Sequence, residues 1–162
     1  RGRARRLLAP ALLAATLPGT LIVWGGAMAA AWGRAPIAFV SREEAAAFDW
    51  LAARPLPDGL ILASFQTGNR IPAFTPYRSV LGHGVETPDI EATEARVARF
   101  FSGELNEEAG TPWLRADSID IVFVGPDERA LGHFDPDSWS SLERIYAVDG
   151  VNLYRVRHDD SP

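Results

Sequence analysis

The longest feature in the hydrophobic pattern is a stretch without any charged residue, from Leu7 to Gly33, which follows four arginines within residues 1–6. A helix that spans a bilayer needs about 20 apolar residues, so this stretch is long enough to cross one. Basic residues collect on the cytoplasmic side of such a helix. The pattern predicts a basic cytoplasmic segment at 1–6, a transmembrane helix at 7–33 and an extracytoplasmic domain at 34–162.

A cleaved signal peptide is the alternative for the first 33 residues. The alanines at 29–31 are small enough for a cleavage site, but the apolar region of a signal peptide usually runs only roughly 7–15 residues. Trp24 and Trp32 suit the interfacial belt at the outer end of a spanning helix, which favours a retained anchor. The chain starts at Arg1 within a basic segment, so we expect a fragment of a longer protein that carries further membrane helices upstream.

Beyond the membrane segment, the hydrophobic periodicity predicts alternating helices and strands. The predicted elements, in chain order, are a helix that starts at Ser41 and stops at Pro55, strands at Gly59–Phe65 and Arg78–Leu81, a helix at Asp89–Phe101, a short helix from Thr111 toward Asp117, a strand at Ile119–Val124, a helical turn at Asp127–Leu131, and strands at Leu142–Val148 and Val151–Val156. Residues 66–77 are predicted as a loop. Asp149-Gly150 is a strong hairpin signal between the last two strands. The predicted fold class is α/β, a layered domain with a mixed sheet that ends in an antiparallel hairpin.

Composition and charge exclude several classes of function. The chain contains no cysteine, which excludes a thiolate nucleophile, a zinc–thiolate site and a disulfide framework. From residue 35 onward, 11 arginines face 21 acids, a balance of −10. Such an acidic domain lacks the basic surface that nucleic acid requires. No glycine-rich phosphate loop is present, and we expect no cofactor.

Polar segments follow the predicted strands and predict a binding site. If the strands at 60–65 and 119–124 lie side by side and parallel, the segments Gln66–Arg70 and Gly125–Arg129 emerge at one edge of the sheet. Ligands of open α/β sheets usually bind at that edge. The segment Gly82–Thr87 follows the short strand and is expected to join them. Amides, hydroxyls, acids, an imidazole and arginines together suit a polyhydroxylated ligand such as a sugar.

His83 and Glu86 are the natural pair for a general base or for metal ligation. Gly82 and Gly84 argue against a helix there, and no third ligand stands at a telling spacing, so we expect no metal site. The alternative role for His83 and Glu86 is structural, with hydrogen bonds from their side chains to the backbone stabilising a turn. No serine lies in a G-x-S-x-G motif, so a serine hydrolase has little support.

Several segments of the chain together resemble the C-terminal region of a membrane enzyme family. The segments are TGNRIPAFTPYRSVLGHGVETPD, RVARFFSGEL, IDIVFVGPDERALG and LERIYAVDGVNLYRV. They look like the tail of the polytopic bacterial membrane glycosyltransferases of the GT-C type, which are related to dolichyl-phosphate-mannose and arabinosyl-type transferases. The most specific parts are G-N-x-I-P-A and G-H-x-x-E-T.

The resemblance implies a parent enzyme that transfers sugar from a polyprenyl-phosphate-linked donor at the outer face of the cell membrane. In that family the catalytic acid lies in the first extracytoplasmic loop, so no catalytic residue is expected within this chain. The resemblance then implies an accessory role for the extracytoplasmic domain, which would bind the acceptor or cover the active site. The partners implied are the lipid bilayer, a lipid-linked sugar and a glycan acceptor. The candidate contacts are Gly68, Asn69, Arg78, His83, Glu86 and Thr87.

Two other functions are compatible with the sequence. The first is a single-pass anchored domain that binds a ligand or partner without catalysis. The second is an anchored hydrolase that uses His83 and Glu86.

Overall fold

The computed structural model describes residues 16–29, 32, 40–56, 58–82 and 89–158, and the chain divides into two compact units at residue 40. In the first unit, residues 16–29 are helical and exposed. No helix among the described residues is both long and apolar enough to span a bilayer. The remainder of the predicted span at 7–33 lies outside the described residues, apart from position 32. The transmembrane helix therefore stays a prediction.

The second unit begins with helix α1, Arg42–Ala52, whose start the sequence predicts correctly. The hydroxyl of Ser41 accepts a hydrogen bond from the backbone N–H of Glu44 at 3.1 Å, and the Glu44 carboxylate accepts one from the N–H of Ser41 at 3.2 Å. This reciprocal cap satisfies two of the N–H groups that a helix start leaves without partners. Phe48 on the inner face stacks on Phe123 of the sheet, with ring centroids 5.7 Å apart.

A five-stranded sheet forms the centre, in the order β2-β1-β3-β5-β4. The strands are β1 (Leu60–Leu62), β2 (Arg78–Ser79), β3 (Ile121–Val124), β4 (Leu142–Val148) and β5 (Val151–Val156). β1 pairs in parallel with β2 and β3, whereas β3–β5 and β5–β4 are antiparallel. The predicted mixed sheet and its closing hairpin are thereby confirmed. The predicted strands at 59–65, 78–81 and 119–124 are shorter in the structure.

Helices cover both faces of this sheet. They are α2 (Phe65–Phe74), α3 (Ile90–Ser102), α4 (Glu107–Ala116) and α5 (Pro126–Arg129), with a 3₁₀ turn at Pro136–Ser138. One face packs on Phe48 of α1, and the other packs on Phe100 of α3 and Leu114 of α4. All four residues of β3 are buried, as expected for a strand with cover on both sides.

Helix α2 corrects the prediction of a loop at residues 66–77. Gly68 and Pro72 are typical of loops, yet both lie inside this helix. Ser64 starts it, because its hydroxyl accepts a hydrogen bond from the N–H of Thr67 at 3.3 Å. Pro72 lacks the N–H that would bond to the Gly68 carbonyl, and that carbonyl instead faces Gly82, where an added Cβ would lie 3.0 Å from the oxygen.

Helix α4 corrects a second prediction. It begins at Glu107, whereas the sequence predicted a start at Thr111 with Pro112 in the first helical position. Asn106 caps it by accepting a hydrogen bond from the N–H of Ala109 at 3.0 Å. Glu107 and Glu108 in the first turn favour this start through the helix dipole. Pro112 consequently lies inside the helix.

Candidate functional site

The carboxyl ends of β1 and β3 lie at one edge of the sheet, as predicted. The two strands pair in parallel with Ile61 opposite Ile121 and Leu62 opposite Val122. α2 starts after β1, and α5 starts after β3, so the first turns of both helices lie at this edge. The polar segments at 66–70 and 125–129 are therefore brought together. Residues 66–70 are helical where a loop was predicted, and 126–129 form a helical turn that starts one residue before the predicted one.

Glu128 fills the space between the two strand ends. Its side chain is buried, with the residue only 1% exposed. One carboxylate oxygen accepts a hydrogen bond from the backbone N–H of Ser64 at 2.9 Å, and the other accepts one from the N–H of Gly125 at 2.8 Å. Backbone N–H groups at this position commonly bind ligand anions in other α/β folds. Here the carboxylate of the chain itself takes these two donors.

Arg70 on α2 joins this helix to α1 and α5. Its guanidinium lies 2.8 Å from the Glu44 carboxylate on α1 and 3.2 Å from the Asp127 carboxylate on α5. The Arg70 and Glu44 side chains are only 12% and 8% exposed. Breaking such a pair would leave a charge that water hydrates poorly. The three charged groups therefore favour the arrangement in which α1, α2 and α5 meet at this edge.

A cleft of about 340 Å³ opens beside the same edge, between α2, α3 and α5. Its apolar wall includes Phe65, Leu81 and Leu131, and its polar groups include Gln66, Glu94 and Asp127. An apolar surface with a few polar groups is the usual composition of a ligand site. The acids and the amide suit hydrogen-bond donors such as hydroxyl groups. This cleft is the candidate binding site at the carboxyl edge.

Gly68, a predicted contact residue, serves to pack α2 against the segment that follows β2. A Cβ added at Gly68 would lie 1.7 Å from the carbonyl oxygen of Leu81 and 2.7 Å from the hydroxyl of Ser79. No side chain fits into that space. The need for glycine here has a packing origin that the sequence does not reveal.

Of the other predicted contact residues, Asn69 follows Gly68 on α2, Arg78 lies away from the carboxyl edge, and three lie outside the described residues. The Asn69 amide donates a hydrogen bond to the Phe65 carbonyl at 2.8 Å within α2. Arg78 donates to the Asp58 carbonyl at 3.0 Å, at the amino end of β1 and so away from the carboxyl edge. His83, Glu86 and Thr87 lie outside the described residues. Ligand contact by these residues remains a prediction.

Sequence reasoning did not identify Glu128 or Ser64 as the residues that organise this edge. Ser64 directly follows an apolar run and precedes a helix, which is a cap signal that could have identified it. Glu128 stands three residues after Gly125, which is the spacing of a capping box. This spacing accounts for its bond to the backbone N–H of Gly125, but not for its bond to the backbone N–H of Ser64. Among the described residues, no group of three or more histidines and acids is arranged to hold a metal ion.

Comparison with known proteins shows a likeness in fold. No family model and no curated protein sequence matches this chain. Among solved structures, the chain is similar to the C-terminal globular domain of an oligosaccharyltransferase from Archaeoglobus fulgidus, with a TM-score of 0.53 and 12% sequence identity. The match covers 74% of this chain and 99% of that domain. The matched part of the chain therefore shares its fold with a globular domain that occurs at the C-terminus of an oligosaccharyltransferase.

Proposed function

We propose that residues 34–162 form the extracytoplasmic C-terminal domain of an integral membrane glycosyltransferase that uses a polyprenyl-phosphate-linked sugar. The observation that carries this proposal is the likeness to the oligosaccharyltransferase domain, which extends over 99% of that domain. The resemblance of the sequence to the tail of GT-C enzymes supports it independently, because that resemblance rests on sequence segments and the likeness rests on backbone geometry.

The role of this domain is accessory to the transfer reaction. At the carboxyl edge, Glu128 and Arg70 are engaged in holding α1, α2 and α5 together. A carboxylate that accepts two backbone hydrogen bonds in a buried site is poorly placed to take a proton from an acceptor hydroxyl. The adjoining cleft offers a binding surface, with Gln66 and Asp127 beside an apolar wall. The domain thus binds or positions a glycan, while the reacting groups belong to the membrane part of the enzyme.

The membrane setting of the proposal rests on the N-terminal sequence. The arginines before Leu7 and the uncharged stretch that follows favour a cytoplasmic N-terminus and one membrane crossing. Residues 34–162 then lie on the outer side of the cell membrane, where the lipid-linked sugar and the glycan acceptor meet. The bilayer, the lipid-linked sugar and the acceptor are the proposed partners.

The reading frame upstream of Arg1 in the source DNA tests this proposal. We expect further codons for several hydrophobic helices, with an acidic residue in the first outer loop. A start codon within a few residues of Arg1 would contradict it. That result would favour a single-pass anchored domain that binds a ligand without catalysis.

A further inference from the structure

A second cleft, of about 340 Å³, lies where β1 and β2 meet α3 and α4. Its polar lining includes Ser79, Asp89, Arg96 and Asp117, and Trp113 supplies an aromatic surface. None of these residues lines the cleft at the carboxyl edge. The cleft is thus a separate feature, and its lining combines an indole, a guanidinium, two carboxylates and a hydroxyl.

The indole of Trp113 is held in one orientation. Its Nε1–H donates a hydrogen bond to the Oδ2 oxygen of Asp117 at 2.6 Å. Its ring meets the ring of Phe100 edge-on, with centroids 5.5 Å apart and an interplanar angle of 71°. The residue is half-buried, so part of the ring lies on the core and part faces the cleft. A fixed aromatic surface costs little conformational entropy when a ligand packs on it.

The charged groups around Trp113 keep unused hydrogen-bonding capacity. The Arg96 guanidinium lies 5.7 Å from the centroid of the Trp113 ring and 3.6 Å from Asp117, too far for a hydrogen bond. Within the described chain, Arg96 donates no hydrogen bond, and the Oδ1 oxygen of Asp117 accepts none. Asp89 precedes α3 without capping it through its side chain. Five N–H donors, the Asp89 carboxylate and the Oδ1 oxygen of Asp117 are therefore available to a ligand.

We propose that this second cleft binds a neutral glycan, with its sugar hydroxyls held by Arg96, Asp89 and Asp117 and an apolar sugar face packed against Trp113. The charge in the cleft favours a neutral ligand, because two acids face one arginine and repel an anion. A sugar hydroxyl can both donate to a carboxylate and accept from a guanidinium, so it uses both kinds of group. This inference rests on the proposed function and specifies the ligand class for that domain.

The test is an NMR titration of the full 162-residue chain with mannotriose, a neutral trisaccharide, to about 20 mM. The observed signal is the indole N–H of Trp113, assigned with the variant Trp113→Phe. We expect a saturable shift of this signal. Arg96→Met keeps an unbranched apolar stem against Trp113 but removes the guanidinium, so we expect roughly tenfold weaker binding or more. Arg99→Met is the matched control, because Arg99 lies on the same helix and pairs with Glu104 instead.

Three results would overturn the inference. They are no shift at the highest mannotriose concentration, equal binding by Arg96→Met and the parent chain, and a stronger response to inorganic phosphate or choline than to mannotriose. The outcome is independent of the upstream reading frame. Binding without upstream membrane helices would retain this site and reject the enzyme proposal, whereas upstream helices without binding would reject this site alone.

Discussion

The carboxylate of Glu128 accepts a hydrogen bond from the backbone N–H of Ser64 at 2.9 Å, across 64 positions of the sequence. The same carboxylate bonds to the N–H of Gly125 at 2.8 Å, so one side chain joins the residues that follow β1 and β3. Both N–H groups are buried with it. The carboxyl edge of the sheet therefore depends on an acid that the chain supplies itself.

Replacing Glu128 tests this relationship. Glu128→Ala leaves two buried N–H groups without an acceptor, and each costs about 1–3 kcal/mol, so we expect the free energy of unfolding to fall by about 2–6 kcal/mol. Glu128→Gln retains one side-chain oxygen acceptor and is expected to lose less. Urea unfolding measures both. Glu143→Ala, at an exposed position of β4, is the control and should cost less than about 1 kcal/mol. Equal costs for Glu128→Ala and the control would show that the bridge is not needed.

Arg70→Met tests whether the ion pairs at this edge stabilise the fold. We expect a loss of about 2–4 kcal/mol, because Glu44 is nearly buried and would remain charged without its partner. Arg99→Met is the matched control, since its pair with Glu104 is more than half exposed, and it should cost no more than about 0.5 kcal/mol.

The double variant Glu44→Gln/Arg70→Met separates the loss of attraction from the burial of an unpaired charge. Glutamine at this position still accepts the N–H of Ser41, so the cap of α1 survives. We expect the double variant to be more stable than Arg70→Met. Equal or lower stability of the double variant in urea unfolding would contradict this explanation.

Gly68→Ala tests the packing role of a residue that the sequence suggested as a ligand contact. The new Cβ would lie 1.7 Å from the Leu81 carbonyl oxygen, so backbone must move, and we expect a loss of about 3 kcal/mol or more. Gly25→Ala is the control, because nothing lies within 4 Å of its added Cβ, and it should leave the unfolding transition of the second unit unchanged. A Gly68→Ala chain that folds normally but no longer binds glycan would instead show that Gly68 contacts the ligand.

The three tyrosines predict the alkaline behaviour of the fold. Burial raises the pKa of Tyr77, Tyr146 and Tyr154 above 10.0, and the hydrogen bond to Asp137 raises the pKa of Tyr154 further. Because the folded chain favours the neutral phenol, this stabilisation is complete below the unfolded pKa of about 10 and is lost as pH rises through the higher folded values. Tyrosinate absorbance should therefore develop at higher pH in the folded chain than in urea. Coincident titration curves would contradict the prediction.

The elements with strong local signals could be predicted from the sequence. Ser41 with Glu44 carries a complete capping box, and Asp149-Gly150 fixes the hairpin between β4 and β5. Both signals act within four residues or fewer, so they can be read without knowing the rest of the fold. The strands β1 and β3 followed from their continuous apolar runs, whereas their parallel pairing was a condition of the site prediction and became known only from the structure.

The errors have tertiary causes. Gly68 and Pro72 indicate a loop by local propensity, but close packing on Leu81 requires a glycine, and the cap at Ser64 starts the helix before either residue. Local spacing does not reveal the bond between Glu128 and Ser64, because that bond depends on the pairing of distant strands. Contacts of this kind cannot be predicted from local spacing.

Sugar transfer by the proposed parent enzyme, a membrane glycosyltransferase that would carry this domain, tests the central proposal most directly. The measurement compares the enzyme with and without residues 41–162, at matched amounts in the membrane, with a polyprenyl-phosphate-linked sugar as donor. We expect transfer to fall by roughly tenfold or more without the domain, because acceptor positioning contributes to the rate of reaction, and no transfer by the 162-residue chain alone. Undiminished transfer by the truncated enzyme, or transfer by this chain alone, would contradict an accessory role.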